Sequence, residues 1–128
     1  MRMAGILVGL VVAASPAVAQ EPQGVYVGTG PNPLTATIFA TEGKAPFAGR
    51  FTVGNPSDPK CAGDFAATGE KIDTNKLEFA GTPEGGKTCT ITMTFTTGYN
   101  AAIVDEDGCS NYHGASCDFS GAVQLQTK

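Results

Sequence analysis

Short segments in which apolar and polar residues alternate recur along the chain, and turn-forming residues separate them. In the segment 34–40, Leu34, Ala36 and Ile38 alternate with threonines. A period of two residues is typical of a half-buried β-strand. No segment shows a sustained 3.6-residue apolar period, and 17 glycines and 8 prolines interrupt the sequence. These features restrict the chain to an all-β fold built from short strands.

The pattern predicts about eight strands and their simplest arrangement. The strands are expected at residues 24–28, 34–40, 47–53, 61–68, 76–80, 88–97, 101–104 and 117–126, and Gly69 is expected to break the fourth. The links are too short for helical crossovers, so an antiparallel meander is the simplest topology. Closure into a small up-and-down barrel removes the exposed edges of the sheet. A two-sheet β-sandwich is the alternative.

The first 19 residues have the pattern of a secretory signal peptide. Arg2 gives a basic start, an apolar run covers residues 4–14, and Ala17-Val18-Ala19 is a cleavage site of the A-x-A type. We therefore expect residues 20–128 to form one all-β domain in the periplasm or outside the cell. No second apolar run approaches the length that spans a bilayer, so no membrane segment is expected after cleavage.

The predicted mature part is acidic. Without Arg2 it has seven basic and twelve acidic residues, which gives a net charge near −5. Such a charge repels nucleic acid and anionic membrane surfaces, and it favours a basic protein as partner. We expect a monomer.

Four cysteines follow the predicted signal peptide, and export favours their oxidation to disulfides. They are Cys61, Cys89, Cys109 and Cys117. Four cysteines allow three pairings. Side-chain alternation places Cys61 and Cys89 on the inward faces of their strands, and Cys109 and Cys117 flank a short loop. The pattern therefore favours Cys61–Cys89 together with Cys109–Cys117.

Tyr112 and His113 lie in that short loop and are the candidate binding residues. His113 is the only histidine, and we expect its side chain to be exposed. A braced loop with aromatic residues is a rigid probe that loses little entropy on binding. The alternative is a capped hairpin in which both side chains make local hydrogen bonds. A metal site at Cys109-x3-His113-x3-Cys117 is disfavoured by oxidation and by the absence of C-x-x-C, so no metal or cofactor is expected.

No catalytic constellation stands out, so a non-enzymatic protein is expected. One histidine in a loop, without G-x-S-x-G, gives little support for a hydrolytic triad. The acidic run 105–107 lacks the alternating oxygen ligands of a calcium loop and is expected to be a solvated turn. The threonine row within 88–96 is typical of the wet face of a strand.

The ending Cys109-x7-Cys117-x-Phe119-x-Gly121 resembles the closing hairpin of a largely uncharacterised family of small secreted bacterial β-proteins. The segments Gly24-Val25-Tyr26 and Cys61-Ala62-Gly63 fit the same family. This resemblance implies a shape rather than an activity. A looser similarity, in size, export, acidity and barrel pattern, is to the periplasmic inhibitors of c-type lysozyme, whose targets are strongly basic.

Taken together, the sequence predicts an exported non-enzymatic binding protein, and inhibition of a basic hydrolase such as lysozyme is the leading hypothesis. The alternatives are a barrel that binds a small ligand in its interior and a passive component of the envelope. A filled interior with protruding loops would favour the inhibitor, and a pocket large enough for a drug-sized ligand would favour the carrier.

Overall fold

The computed structural model describes residues 21–83 and 85–126, and the predicted signal peptide, residues 1–19, lies outside the described residues. Eight antiparallel strands close into a barrel in sequence order. They are β1 Gly24–Gly28, β2 Leu34–Ala40, β3 Phe47–Gly54, β4 Ala62–Asp73, β5 Lys76–Gly81, β6 Cys89–Phe95, β7 Ala101–Asp107 and β8 Gly121–Leu125. The predicted all-β up-and-down barrel is confirmed, and it replaces the β-sandwich alternative.

The alternation in the sequence separates the inside of the barrel from its outer surface. In β6 the four residues at odd positions from Cys89 to Phe95 are buried, and the threonines between them are partly exposed. Aromatic rings meet in the interior, where Phe51 lies 5.1 Å from Phe79 and 6.4 Å from Phe65 between ring centroids. The barrel is therefore filled by side chains, as is usual for eight strands.

Strand β4 is longer than predicted, because Gly69 continues it instead of breaking it. Gly69 pairs with Phe47 on β3 and with Phe79 on β5. A Cβ at Gly69 would collide with the Phe79 ring, and one at Gly49 would lie 2.7 Å from it. The two glycines therefore make room for a buried ring, which the local propensity of glycine does not indicate.

The loops divide between two ends of the barrel. The β1–β2, β3–β4, β5–β6 and β7–β8 loops lie at one end, which we call the disulfide end because both bridges are found there. At the other end Tyr99 packs against Phe95, with 5.4 Å between ring centroids. The Tyr26 hydroxyl donates a hydrogen bond to the Tyr99 carbonyl at 2.7 Å. Burial, with a smaller effect of Tyr99, raises the pKa of Tyr26 to about 12.

Candidate functional site: the disulfide-bound loop and the acidic face

The disulfides join Cys89 to Cys109 and Cys61 to Cys117. The predicted pairing of Cys61 with Cys89 and of Cys109 with Cys117 is therefore wrong, although Cys61 and Cys89 are both buried. Strand β5 separates β4 from β6, whereas β7 lies directly beside β6. Since Thr90 of β6 pairs with Asp107 of β7, Cys109 follows the end of β7 close to Cys89, and their Cα atoms are 4.4 Å apart.

The second bridge forms because the β7–β8 loop, residues 108–120, folds back across the start of β4. Its contacts are Gly114 N–H to the Ala62 carbonyl at 2.9 Å, Ser116 N–H to the Lys60 carbonyl at 3.2 Å, and a β-bridge between His113 and Gly63. This alignment brings Cys117 to Cys61, with 5.2 Å between Cα atoms. A Cβ at Gly114 would collide with the Lys60 backbone, so the close approach requires glycine there.

Tyr112 packs onto the end of the barrel. Its ring meets that of Phe65 edge to face, at 4.7 Å between centroids and an interplanar angle of 67°. The side chain is partly buried and belongs to the edge of the core. Tyr112 therefore covers the interior more than it projects from the loop, and its role in binding stays a prediction.

His113 is mostly buried, so the predicted exposure is wrong. Its side chain is 10% exposed, and that of Glu106 beside it is 13% exposed. His113 Nε2 lies 2.9 Å from Glu106 Oε1, at an angle that departs from a straight hydrogen bond, and Nδ1 lies 2.7 Å from the Gly114 carbonyl oxygen. The ring also meets Phe119 edge to face at 5.2 Å. His113 thus serves as a contact within the protein, and its role in binding also stays a prediction.

Glu106 links two parts of the loop to β7. Its Oε1 accepts the Phe119 N–H at 2.8 Å in addition to facing His113, and its own N–H donates to Ser120 Oγ at 3.3 Å. The expectation that residues 105–107 form a solvated turn is wrong, because β7 continues to Asp107. The alternation of two outward aspartates around one inward glutamate was the signal for a strand.

The environment of His113 favours its protonated form. Burial lowers the pKa of His113, but the Gly114 carbonyl and the negative charges of Glu106 and Asp118 outweigh burial and raise the pKa above its ordinary value. When it is protonated, the imidazole forms an ion pair with the Glu106 carboxylate under the loop.

A second feature is an acidic face on the outer wall, formed by Glu70 of β4, Glu78 of β5, and Asp105 and Asp107 of β7. Glu70 lies directly opposite Glu78, and Thr92 of β6 separates Glu78 from Asp105. Within residues 21–83 and 85–126 none of these four carboxylates forms an ion pair. Like charges directly opposite one another destabilise a sheet, and no ion pair within the described residues offsets the repulsion between Glu70 and Glu78.

An apolar depression of about 670 Å³ lies on another part of the outer wall. It is lined by Thr37, Phe39, Ala48, Gly49, Arg50, Ala66, Ala67 and Thr68. Phe39 is 50% exposed. Arg50 donates two hydrogen bonds to Asp64, at 3.0 and 2.6 Å, and this contact lowers the pKa of Asp64. The rim of the depression therefore carries no net charge from this pair.

In the part of the chain that the structure describes, no group of three or more His, Cys, Asp or Glu side chains is placed to hold a metal ion. No helix there is long and apolar enough to cross a membrane. Comparisons of the chain with protein-family models, with curated proteins and with solved structures give no match.

Proposed function

We propose that the protein is an exported, non-enzymatic binding protein that attaches to a basic protein through the acidic face. A basic hydrolase such as lysozyme is the leading target class. The observation that carries the proposal is the absence, within the described residues, of any ion-pair partner for Glu70, Glu78, Asp105 and Asp107. Complementary charge on a partner accelerates encounter and compensates this repulsion. The two disulfides are consistent with an oxidising compartment such as the periplasm or the cell exterior.

The shape of the acidic face supports a protein partner. Neighbouring strands lie about 4.8 Å apart, so the row from Glu70 through Thr92 to Asp105 extends over roughly 14 Å. The backbone of the sheet is already ordered, so little conformational entropy is lost when a partner docks. Ile103, which is 50% exposed and pairs with Thr94 next to this row, adds an apolar contact.

The disulfide end is contiguous with the acidic face. Asp107 ends β7, and the β7–β8 loop follows it directly. A partner that covers Asp107 would therefore reach the loop that carries Tyr112 and His113, whose roles in this proposal are to shape the loop and to contact the edge of the partner.

The packed interior supports binding on the outer surface over binding inside the barrel. Tyr26, Phe51, Phe65, Phe79 and Phe119 all have fully buried side chains. A small-ligand carrier is the second candidate, and the apolar depression on β2, β3 and β4 favours it. Enlarging Ala66, one of the residues that line the depression, to Leu should then reduce the fluorescence of a bound apolar dye, while Ala122→Leu on β8 should leave it unchanged.

The main proposal is tested with the mature oxidised protein and c-type lysozyme. The protein should slow the clearing of peptidoglycan, and calorimetry should show binding that weakens strongly in about 0.5 M salt, where charges are screened beyond a few ångströms. Glu78→Lys should weaken binding by at least about tenfold. Glu42→Lys, in the 41–46 loop at the other end of the barrel, makes the same change of charge and should have a much smaller effect.

The possible outcomes test inhibition, binding to a basic partner and the location of the binding site separately. An unchanged clearing rate at about tenfold molar excess of the protein would refute inhibition of lysozyme. Binding with no effect on clearing would support a basic partner but contradict inhibition. Equal losses of affinity in Glu78→Lys and Glu42→Lys would show that only net charge matters and would exclude the acidic face as the site.

A further inference from the structure

Both ring nitrogens of His113 lie close to an oxygen atom, but only Nδ1 forms a hydrogen bond. Nδ1 lies 2.7 Å from the Gly114 carbonyl oxygen, and Nε2 lies 2.9 Å from Glu106 Oε1. A neutral imidazole carries one N–H, and since the Gly114 carbonyl can only accept, the neutral ring keeps its proton on Nδ1 and leaves the Nε2 lone pair 2.9 Å from the Glu106 carboxylate. Protonation of Nε2 replaces this repulsion with attraction between the positive ring and the carboxylate.

The same carboxylate oxygen also holds the far side of the loop. Glu106 Oε1 accepts the Phe119 N–H at 2.8 Å. The Phe119 side chain is fully buried, with its ring 6.4 Å from that of Phe65 inside the barrel. The contact between His113 and Glu106 is therefore coupled to the seating of the aromatic ring that closes this end of the barrel.

We propose that protonated His113 and Glu106 form a pH-sensitive latch that holds the β7–β8 loop over the disulfide end of the barrel. Loss of the proton leaves the mostly buried Glu106 carboxylate beside a neutral ring, and the loop loosens. Cys109 and Cys117 remain anchored by their disulfides. The movement is therefore confined to residues 110–116 and 118–120, and the barrel stays folded.

The charged groups that act on His113 determine the direction of the pH response. Glu106 on β7 and Asp118 in the loop are both negative, and the start of β4 faces the ring with Gly63 and with the backbone of its neighbours. The pKa of His113 is raised, so the stabilisation is fully present below the ordinary value of 6.5 and is lost as the pH rises through the higher value of the folded state. The loop should be closed below pH 6.5 and should loosen as the pH rises through the raised pKa of His113. This inference does not depend on the proposed function.

The latch can be tested by NMR on the mature oxidised protein without an added histidine tag. His113 is the only histidine in the chain, so its imidazole signals need no further assignment. Its titration midpoint should lie above 6.5. The amide protons of Gly114 and Phe119 should exchange faster across the same midpoint, beyond the increase that base catalysis produces in an unstructured peptide.

Two variants separate the latch from a general effect of pH. Glu106→Gln removes the charge that faces Nε2, so it should lower the midpoint of His113 and abolish the step in amide exchange. Glu42→Gln makes the same chemical change in an exposed loop and should leave both unchanged. A wild-type midpoint at or below 6.5, or protection of Gly114 and Phe119 that is independent of the titration, would overturn the proposal. The wild-type data decide this even if Glu106→Gln does not fold.

Discussion

Removal of the two disulfides, one at a time, should rank them by the length of chain that each one closes. Cys61 and Cys117 are separated by 56 positions, and Cys89 and Cys109 by 20 positions. When a bridge acts by restricting the unfolded chain, its contribution grows with the logarithm of loop length. This relation gives about 4.2 kcal/mol for the longer loop and about 3.3 kcal/mol for the shorter one. Both are large beside the roughly 5–15 kcal/mol by which a typical domain is stable.

The measurement is urea unfolding of the paired variants Cys61→Ala/Cys117→Ala and Cys89→Ala/Cys109→Ala, followed by circular dichroism. The first variant should be less stable than the second by about 0.9 kcal/mol. With a slope of about 1–3 kcal/mol per molar urea, its midpoint should be about 0.3–0.9 M lower. Each variant retains one bridge at the disulfide end, so each serves as the control for the other.

Peptide mapping without reduction checks the connectivity on which this ranking depends. Chymotrypsin cleaves after Tyr112, between Cys109 and Cys117, and after Phe95, between Cys89 and Cys109. The peptide that contains Cys61 should be joined to the peptide that contains Cys117. A link between Cys61 and Cys89 would contradict the structure. Equal midpoints, or the opposite order, would refute the reasoning from loop length.

Three other predictions test local features. Gly108 has φ 76°, and a Cβ there would collide with the Thr88 carbonyl, whereas Gly30 has φ 105° and open space around it. Gly108→Ala should therefore lower the free energy of unfolding by about 1–3 kcal/mol more than Gly30→Ala does. In a titration followed at 295 nm, Tyr26 should ionise near pH 12, and Tyr26→Phe should remove that phase. The stability linked to the raised pKa of Tyr26 is fully present below its ordinary pKa of 10.0 and is lost as the pH rises through about 12. Arg50→Ala should barely move the unfolding midpoint, because the Arg50 and Asp64 side chains are 62% and 55% exposed. Any loss of stability in this variant should disappear below the lowered pKa of Asp64, where the carboxyl is protonated and no longer pairs with Arg50.

The alternation of apolar and polar residues predicted the barrel well, because a closed sheet requires every strand to have one apolar face inside and one polar face outside. Each strand has one face inside, so the period of two residues is imposed along the whole chain. The errors occur where a residue's local preference differs from its role in packing. Gly69 suggests a break, yet it lies in β4 under the Phe79 ring. The run of residues 105–107 suggests a turn, yet the inward Glu106 meets His113.

The disulfide pairing and the burial of His113 could not be obtained from local pattern. Alternation shows that Cys61 faces inward, but it does not show which strand lies beside it. The partner is decided by the return of the β7–β8 loop across the start of β4, which joins residues that are 56 positions apart. This path also buries His113, and the local signals of so close an approach are two glycines, Gly114 and Gly63, whose Cβ atoms would collide with Lys60 and with His113.

The loop and the acidic face differ in what their side chains do for the fold, and this difference predicts opposite effects of substitution. The β7–β8 loop leads into β8, which pairs with β1 at three positions. The disulfides and buried rings of this loop therefore help to hold β8 in place and to close the barrel. Glu70, in contrast, opposes Glu78 and weakens the sheet. Glu70→Lys should therefore raise the free energy of unfolding, by about 0.2–1 kcal/mol in urea, because an attractive pair replaces a repulsive one. The same variant should bind a basic partner more weakly, which is the trade-off expected where a destabilising charge is used for binding. If the variant gained stability and kept its full affinity, the repulsion would have no function in recognition. That result would contradict the acidic face as the binding site.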